Sequence, residues 1–176
     1  TLSIQPRSDA AVQLSQTDID ARSHTQTAWG PAYSRVATHS ASATKTDTPL
    51  LETPQAISVI TRDEMEAQGA QTLRQTTAYT TGVVSNYFDS RQDSFSARGN
   101  DLSQYLDGLL RQTGYWNDTR PDPYTLERVE VLRGPSSIMY GQGSFGGTVN
   151  LVSKRPLAEA QHEVQAADPG GELLHG

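Results

Sequence analysis

The 176-residue sequence contains no cysteine, which excludes disulfide scaffolds, thiolate metal sites and cysteine nucleophiles. It also lacks any apolar run approaching the roughly 20 residues that a membrane-spanning helix needs. The basic residues never cluster, and a net charge of −6 repels phosphate, so nucleic acid is not an expected partner. No signal-peptide pattern stands at Thr1, and we expect the chain to be a fragment of a longer protein.

Signals for catalysis are also scarce. The four histidines are scattered at positions 24, 39, 162 and 175, without the spacing of a metal site. The glycine-rich stretch 141–147 resembles a nucleotide-binding loop, but it follows a predicted helix and precedes a predicted strand, the reverse of the usual order. We interpret it as a tight turn that lets two backbones approach closely. The sequence therefore predicts no enzyme, no catalytic residue and no metal site.

What is present divides the chain into four regions. Residues 1–6 alternate like a short strand, and residues 7–47, rich in Ser, Thr, Gln and Asp, are predicted to be a flexible linker. Within the linker, residues 11–21 either pair transiently with a sheet edge or are plain linker. Residues 48–156 form the predicted domain, with order beginning near Pro54, and residues 157–176 are a tail.

The predicted domain combines short strands with short helices, which indicates an α+β or α/β fold. Thr61 caps one helix, with Glu64 completing a capping box and Gly69 ending it, and Thr72 caps a second helix that reaches about Tyr79. Pro123 begins a short helical turn, and Pro135 is expected at the first position of a helix over 136–140. Strands are predicted at 57–60, 95–98, 104–107, 109–111, 128–132 and 148–152, with a turn at Asp107-Gly108.

The strand around residues 127–133 carries an unusual number of charges. Val129 and Val131 alternate with Arg128, Glu130 and Leu132. One interpretation is an amphipathic strand whose charged face is solvated. The other is a charged face buried against a partner that supplies countercharges, a role that suits arginine because its planar fork stays ionised when desolvated.

Six motifs occur in an order that closely resembles one family, the plug domain of TonB-dependent outer-membrane siderophore receptors of the ferrichrome and pyoverdine type. They are residues 46–60, Ala97-Arg-Gly99, Tyr105-Leu-Asp-Gly108, residues 122–135, Tyr140-Gly141 and residues 146–156. This resemblance implies a small mixed sheet with short helices. It also implies a receptor in the outer membrane that imports a ferric siderophore through a barrel occluded by this plug.

The resemblance also suggests roles for the rest of the chain. Residues 11–21 look like a TonB box, with Val12, Gln13, Leu14 and Ser15 at its centre, so TonB is an implied partner from the periplasmic side. Residues 1–6 look like the last strand of a signalling domain, which leaves open a second role in relaying ligand occupancy to an inner-membrane anti-sigma regulator. Residues 159–165 stand where the first strand of the receptor's own barrel is expected, and residues 166–176 look irregular. A third possibility is a truncated, non-functional soluble plug.

Site residues follow from the same resemblance. The family's plug–barrel lock corresponds to Arg98 and Arg133, whose partners are barrel glutamates. Without a barrel, we expect both arginines to turn towards water or to pair with local acids such as Glu127 or Glu130. The apical loops that contact the siderophore correspond to residues 86–91, 100–104 and 113–117. The implied ligand contacts are Tyr87, Arg91, Asn100, Gln104, Tyr115 and Trp116. For Tyr115 and Trp116, simple loop packing is the alternative. The ferric siderophore is the transported ligand, and no cofactor is expected.

Overall fold

A computed structural model describes residues 26–86, 92–111, 119–135, 137–141, 145–156, 165–167 and 173–175. In chain order, the strands are β1 (His39–Ser40), β2 (Thr48–Pro49), β3 (Ala56–Thr61), β4 (Val84–Asn86), β5 (Ser94–Ala97), β6 (Asn100–Asp101), β7 (Ser103–Leu106), β8 (Leu109–Leu110), β9 (Leu126–Arg133), β10 (Gly147–Ser153), β11 (Gln165–Ala167) and β12 (Leu173–His175). The helices are α1 (Arg62–Ala67), α2 (Leu73–Thr77) and α3 (Ser137–Tyr140), with 3₁₀ turns at Leu50–Glu52 and Pro123–Thr125.

A five-stranded mixed sheet organises the domain, in the order β3-β9-β10-β7-β8. Strand β9 runs antiparallel to both β3 and β10, and β10 runs parallel to β7. Strands β4, β5 and β6 form a second sheet, and β1 pairs with β2. The α+β architecture expected from the sequence is therefore confirmed.

One face of the central sheet carries the hydrophobic core. Because side chains alternate along a strand, Ile60, Val129, Val131, Val149 and Leu151 point to the same face. All five are buried in the core cluster. The cluster is completed by side chains from α1, α2, β5, the β6–β7 connection and the start of β9, namely Met65, Leu73, Phe95, Ala97, Leu102 and Leu126.

The opposite face of the same sheet is polar and yet buried. The cross-strand register places Glu130 opposite Asn150, and Asn150 opposite Tyr105. Arg128 and Thr148 lie two residues away from this row on the same face, and all five residues are at most 6% exposed. We call these five residues the polar face. A second layer must therefore cover it.

That layer comes from the N-terminal part of the described chain. Residues 26–49 contain the β1–β2 hairpin, with Ser40, Ser42 and Ala43 buried. The packed region therefore begins at least 20 residues before the domain boundary predicted at residue 48. The sequence pattern does not predict this contact, because the segment packs through small side chains and hydroxyls rather than through large apolar residues. The predicted strand at 1–6 and the TonB-box residues Val12, Gln13, Leu14 and Ser15 lie outside the described residues.

The helix caps follow the sequence signals closely. The Thr61 side chain accepts a hydrogen bond from the Glu64 amide, and Gly69 follows α1 with a φ of +61°. The Glu64 carboxylate, however, accepts from Gln68 Nε2 at 2.7 Å. The complete capping box forms instead at α2, between Thr72 and Gln75.

Several predicted boundaries are wrong. Helix α2 ends at Thr77, two residues short of Tyr79, and α3 begins at Ser137, so Pro135 is not its first residue. Arg98 lies in a turn with a φ of +53°, not at the end of a strand. Part of the tail read as irregular is paired, because β11 and β12 are antiparallel neighbours.

Candidate functional site

A buried ion pair stands at the centre of the polar face. Nε of Arg128 lies 2.7 Å from Oε1 of Glu130, and the two residues are 2% and 1% exposed. The other Glu130 oxygen accepts hydrogen bonds from the hydroxyls of Ser42 and of Ser40, the latter at 2.9 Å. Nη1 of Arg128 donates to the Gly30 carbonyl at 2.8 Å. Both charges thus find partners inside the chain, as buried charges must.

This arrangement decides between the two interpretations of the charged strand. The solvated-face interpretation is wrong, because Arg128 and Glu130 are buried. The buried-face interpretation is right, but the countercharge comes from the same strand and the covering layer is residues 26–49. Sequence reasoning looked for the partner in another domain and missed Arg128 as the partner of Glu130. The signal was their i,i+2 spacing, which places both side chains on one face of a strand.

Further hydrogen bonds attach the covering layer to the sheet. Nδ2 of Asn150 donates to the Ser42 hydroxyl at 2.9 Å, and its Oδ1 accepts from the Gly108 amide at 2.9 Å. Glu127 accepts from the Ala32 amide at 2.9 Å. The Asn150–Ser42 and Glu127–Ala32 bonds each join residues more than 90 positions apart and link the N-terminal layer to the sheet at separate points, while the Gly108 bond lies outside that layer.

Tyr140 lies beside Tyr105, a member of the polar face, and Lys45 lies beside Tyr140. The rings of Tyr105 and Tyr140 meet edge to face with centroids 4.5 Å apart, and Lys45 Nζ lies 3.5 Å from the centre of the Tyr140 ring. Burial raises the pKa of both tyrosines, and the Glu130 carboxylate raises that of Tyr140 further, while the Ser42 hydroxyl acts in the opposite direction. Burial lowers the pKa of Lys45, and Glu130 partly opposes this effect. Lys45, Tyr140, Glu130 and Asn150 also line a cleft of about 230 Å³.

The tyrosine environment predicts a pH dependence of stability. A folded-state pKa raised above the ordinary 10.0 means that the native state retains the Tyr140 proton longer than the unfolded state does. The free energy of unfolding should therefore fall as the pH rises above about 10. Denaturant unfolding at a series of alkaline pH values should show a shallower decline for Tyr140→Phe than for the unmodified chain. Tyr79→Phe, at a position 82% exposed, is the control. Equal slopes for Tyr140→Phe and the unmodified chain would contradict this assignment.

The predicted lock residues do not form one charged cluster. Arg98 is exposed, and Arg133 is half-buried with Nη1 donating to the Thr81 carbonyl. Glu130 is paired with Arg128, and Glu127 binds the Ala32 amide. The expectation that the arginines face water or a local acid thus holds for the exposure of Arg98, whereas Arg133 takes a backbone carbonyl.

The two arginine-bearing turns do meet at one glycine. The Gly146 carbonyl accepts from the Gly134 amide at 2.9 Å, next to Arg133. A Cβ placed on Gly146 would lie 2.6 Å from the Asn100 carbonyl oxygen, two residues beyond Arg98. This close approach is the one expected of the glycine-rich stretch. A shared barrel contact for Arg98 and Arg133 remains a prediction.

The predicted ligand residues have different outcomes. Tyr87, Arg91, Tyr115 and Trp116 lie outside the described residues. Asn100 has an exposed side chain whose Nδ2 donates to the Arg98 carbonyl at 3.3 Å. It therefore remains accessible to a ligand.

Gln104, by contrast, is buried and already engaged. Its Nε2 donates to the Asp93 carbonyl at 2.5 Å, and its Oε1 accepts from Arg111 Nη1 at 3.0 Å. Asp93 in turn receives two hydrogen bonds from Arg120, at 2.8 and 3.1 Å, and Arg111 Nη2 donates to the Thr119 carbonyl. We call these five residues the loop-base cluster. Sequence reasoning named only Gln104, because the other members are far apart in the chain and carry no motif.

Over the described ranges, no three His, Asp or Glu side chains come together in a way that could hold a metal ion. The helices in these ranges are also too short and too polar to cross a bilayer.

Comparison with known proteins places this geometry in context. The TonB-dependent Receptor Plug Domain family matches residues 49–148. The ferrichrome outer membrane transporter/phage receptor of Escherichia coli K12 is 44% identical over 147 residues, which are 80% of this chain and 20% of that protein. The ferrioxamine B receptor of Salmonella typhimurium is 45% identical over 131 residues, 70% of this chain and 19% of that protein.

Solved structures agree. The pyoverdine outer membrane receptor FpvA from Pseudomonas aeruginosa PAO1, bound to pyoverdine, superposes with a TM-score of 0.68 at 30% identity, covering 75% of this chain and 20% of that one. The chain thus spans about a fifth of the length of these relatives. Because the family match covers more than half of its residues, the chain belongs to the TonB-dependent receptor plug domain family.

Proposed function

We propose that this chain is the plug of an outer-membrane receptor that imports a ferric siderophore. The observation that carries the proposal is the plug-family match over residues 49–148, with relatives named for ferrichrome, ferrioxamine and pyoverdine. In this role the plug closes the receptor's own barrel and contributes to ligand binding. TonB opens it by engaging the N-terminal segment, which lies on the periplasmic side.

The buried polar face supports a plug that can be remodelled. Residues 26–49 cover the Arg128–Glu130 pair with hydroxyls and small side chains, and four residues separate them from the predicted TonB box at residues 11–21. These hydrogen bonds have a charged partner and contribute about 1.5–3 kcal/mol each, and they can be broken one after another by a pull from the N-terminus.

The test is a chimera in which the full chain replaces the matched region of the E. coli ferrichrome transporter. Cells that lack their own transporter should take up radiolabelled ferrichrome through the chimera, and only when TonB is present. Uptake that is equal with and without TonB, or equal to that of the plugless barrel, would contradict the proposed function.

TonB engagement through residues 11–21 predicts a separate loss. Proline at Leu14 removes a main-chain donor and fixes φ, both of which oppose pairing by strand addition. Leu14→Pro should lower ferrichrome uptake by the chimera at least roughly tenfold while ferrichrome binding is retained. Ser8→Pro, outside the segment, is the control. Unchanged uptake in Leu14→Pro would exclude this segment as the TonB box.

The signalling alternative depends on residues 1–6, which lie outside the described residues, and it stays a prediction. Relay to an anti-sigma regulator would require ferrichrome to change transcription in cells where uptake itself is blocked.

A further inference from the structure

The loop-base cluster (Asp93, Gln104, Arg111, Thr119 and Arg120) has a particular place in the chain. Asp93 stands two positions after segment 87–91, which contains the predicted ligand contacts Tyr87 and Arg91. Arg111 directly precedes segment 112–118, which contains Tyr115 and Trp116, and Thr119 directly follows it. The cluster therefore contains residues that stand near one end of the first segment and next to both ends of the second.

Its hydrogen bonds close a ring. Nη2 and Nε of Arg120 donate hydrogen bonds to the Asp93 carboxylate, at 2.8 and 3.1 Å. Gln104 connects the Asp93 carbonyl to Arg111 through the two ends of its amide.

Arg111 completes the ring in two ways. Its Nη2 binds the carbonyl of Thr119, and its amide donates to the Gln104 carbonyl at 2.9 Å. Gln104 itself belongs to β7 of the central sheet, opposite the fully buried Val149. The ring is thus attached to the central sheet.

We propose that the loop-base cluster is a positioning device that sets the spacing of these two segments and so determines the affinity of the plug for a ferric siderophore. This inference rests on the proposed function. None of its members needs to touch the ligand. Gln104, expected from the sequence to be a ligand contact, is reassigned to this supporting role.

The physical reason is preorganisation. When two segments contact one ligand, affinity is lower if their relative position has to become ordered during binding. A bidentate arginine–carboxylate pair fixes orientation as well as distance, which a single contact or a lysine does not. The Asp93 side chain is only 5% exposed, so the pair is less weakened by solvent than an ordinary surface ion pair.

The spacing itself can be measured directly, because the chain contains no cysteine. Cysteines introduced at Gln92 and Thr119, next to the two partners of the ion pair, carry spin labels in the full 176-residue chain. Spectral broadening should report one narrow distance in the otherwise unmodified protein. It should report a wider distribution in Arg120→Gln and in Asp93→Asn.

Affinity is measured on the same variants, without labels, in the chimera described above. Ferrichrome binding should weaken about tenfold in Arg120→Gln. It should weaken about threefold in Arg120→Lys, which keeps the charge but loses the planar guanidinium. The control is Arg62→Gln, which removes the Arg62–Glu66 pair on α1, where the acid is 34% exposed against 5% for Asp93. The control should change affinity less than about twofold.

The outcomes separate cleanly. The inference is supported if Arg120→Gln and Asp93→Asn show a wider distance distribution and weaker ferrichrome binding, and Arg62→Gln shows neither. An unchanged distribution, or a wider one with unchanged affinity, overturns it. If Arg62→Gln weakens binding as much as Arg120→Gln, the effect is general destabilisation, and the positioning role is again overturned. Failure of the unmodified chimera to bind ferrichrome or ferrioxamine B overturns the proposed function itself, and the inference with it.

Discussion

Arg128→Met should lower the free energy of unfolding by about 3–5 kcal/mol, because it leaves a buried carboxylate without its cation. Glu130 is 1% exposed, and its remaining hydrogen-bond partners are the hydroxyls of Ser40 and Ser42, which carry no charge. A domain with an ordinary stability of about 5–15 kcal/mol loses a large fraction of it through such a change. Urea denaturation followed by circular dichroism measures the effect on the full chain.

The double variant Arg128→Met/Glu130→Leu is the informative partner. Removing both charges leaves no uncompensated ion, so it should lose less stability than Arg128→Met alone. Arg62→Gln, which breaks a partly exposed pair, should cost at most about 1 kcal/mol. If the double variant instead loses as much stability as Arg128→Met and Glu130→Leu lose together, Arg128 and Glu130 do not act as a pair.

This ion pair also shows how far the sequence could predict the fold. The strand at β9, the Thr61 and Thr72 caps and the Asp107-Gly108 turn were all found, because each depends on residues close in the chain. Local signals of this kind need no knowledge of the tertiary structure.

The covering layer and the loop-base cluster could not be found in the same way. Ser42 bonds Glu130 across 88 positions, and Arg120 bonds Asp93 across 27. Serines and alanines in a polar stretch predict a linker by composition, whereas here they fit against a polar sheet face that itself needs small donors. Such long-range contacts are determined by the assembled fold.

The lock arginines are an intermediate case. Their motifs were found from the family resemblance, and their turns do lie together at Gly146. Their partners were not, because Glu127 and Glu130 are used by Ala32 and Arg128. The acids nearest in the sequence were therefore the wrong candidates.

Gly147→Ala should be comparably severe, by about 3 kcal/mol or more, through a backbone clash rather than a lost charge. A Cβ at this position would lie 2.0 Å from the Leu132 carbonyl oxygen and 3.0 Å from the Gly134 amide nitrogen. Both atoms belong to the backbone of the neighbouring chain segment, which can move only by breaking the β9–β10 ladder. The φ of Gly147 is +121°, which adds strain for any residue with a side chain.

Gly99→Ala separates the clash from the strain. Gly99 has a φ of +78° but no atom within 4 Å of its would-be Cβ, so it should lose only about 1–2 kcal/mol. Thermal unfolding of the two variants beside the unmodified chain gives the comparison. Similar losses in both would show that φ alone matters. A much larger loss in Gly147→Ala would show that the glycine-rich stretch is there to let β10 approach the end of β9, where Arg133 lies.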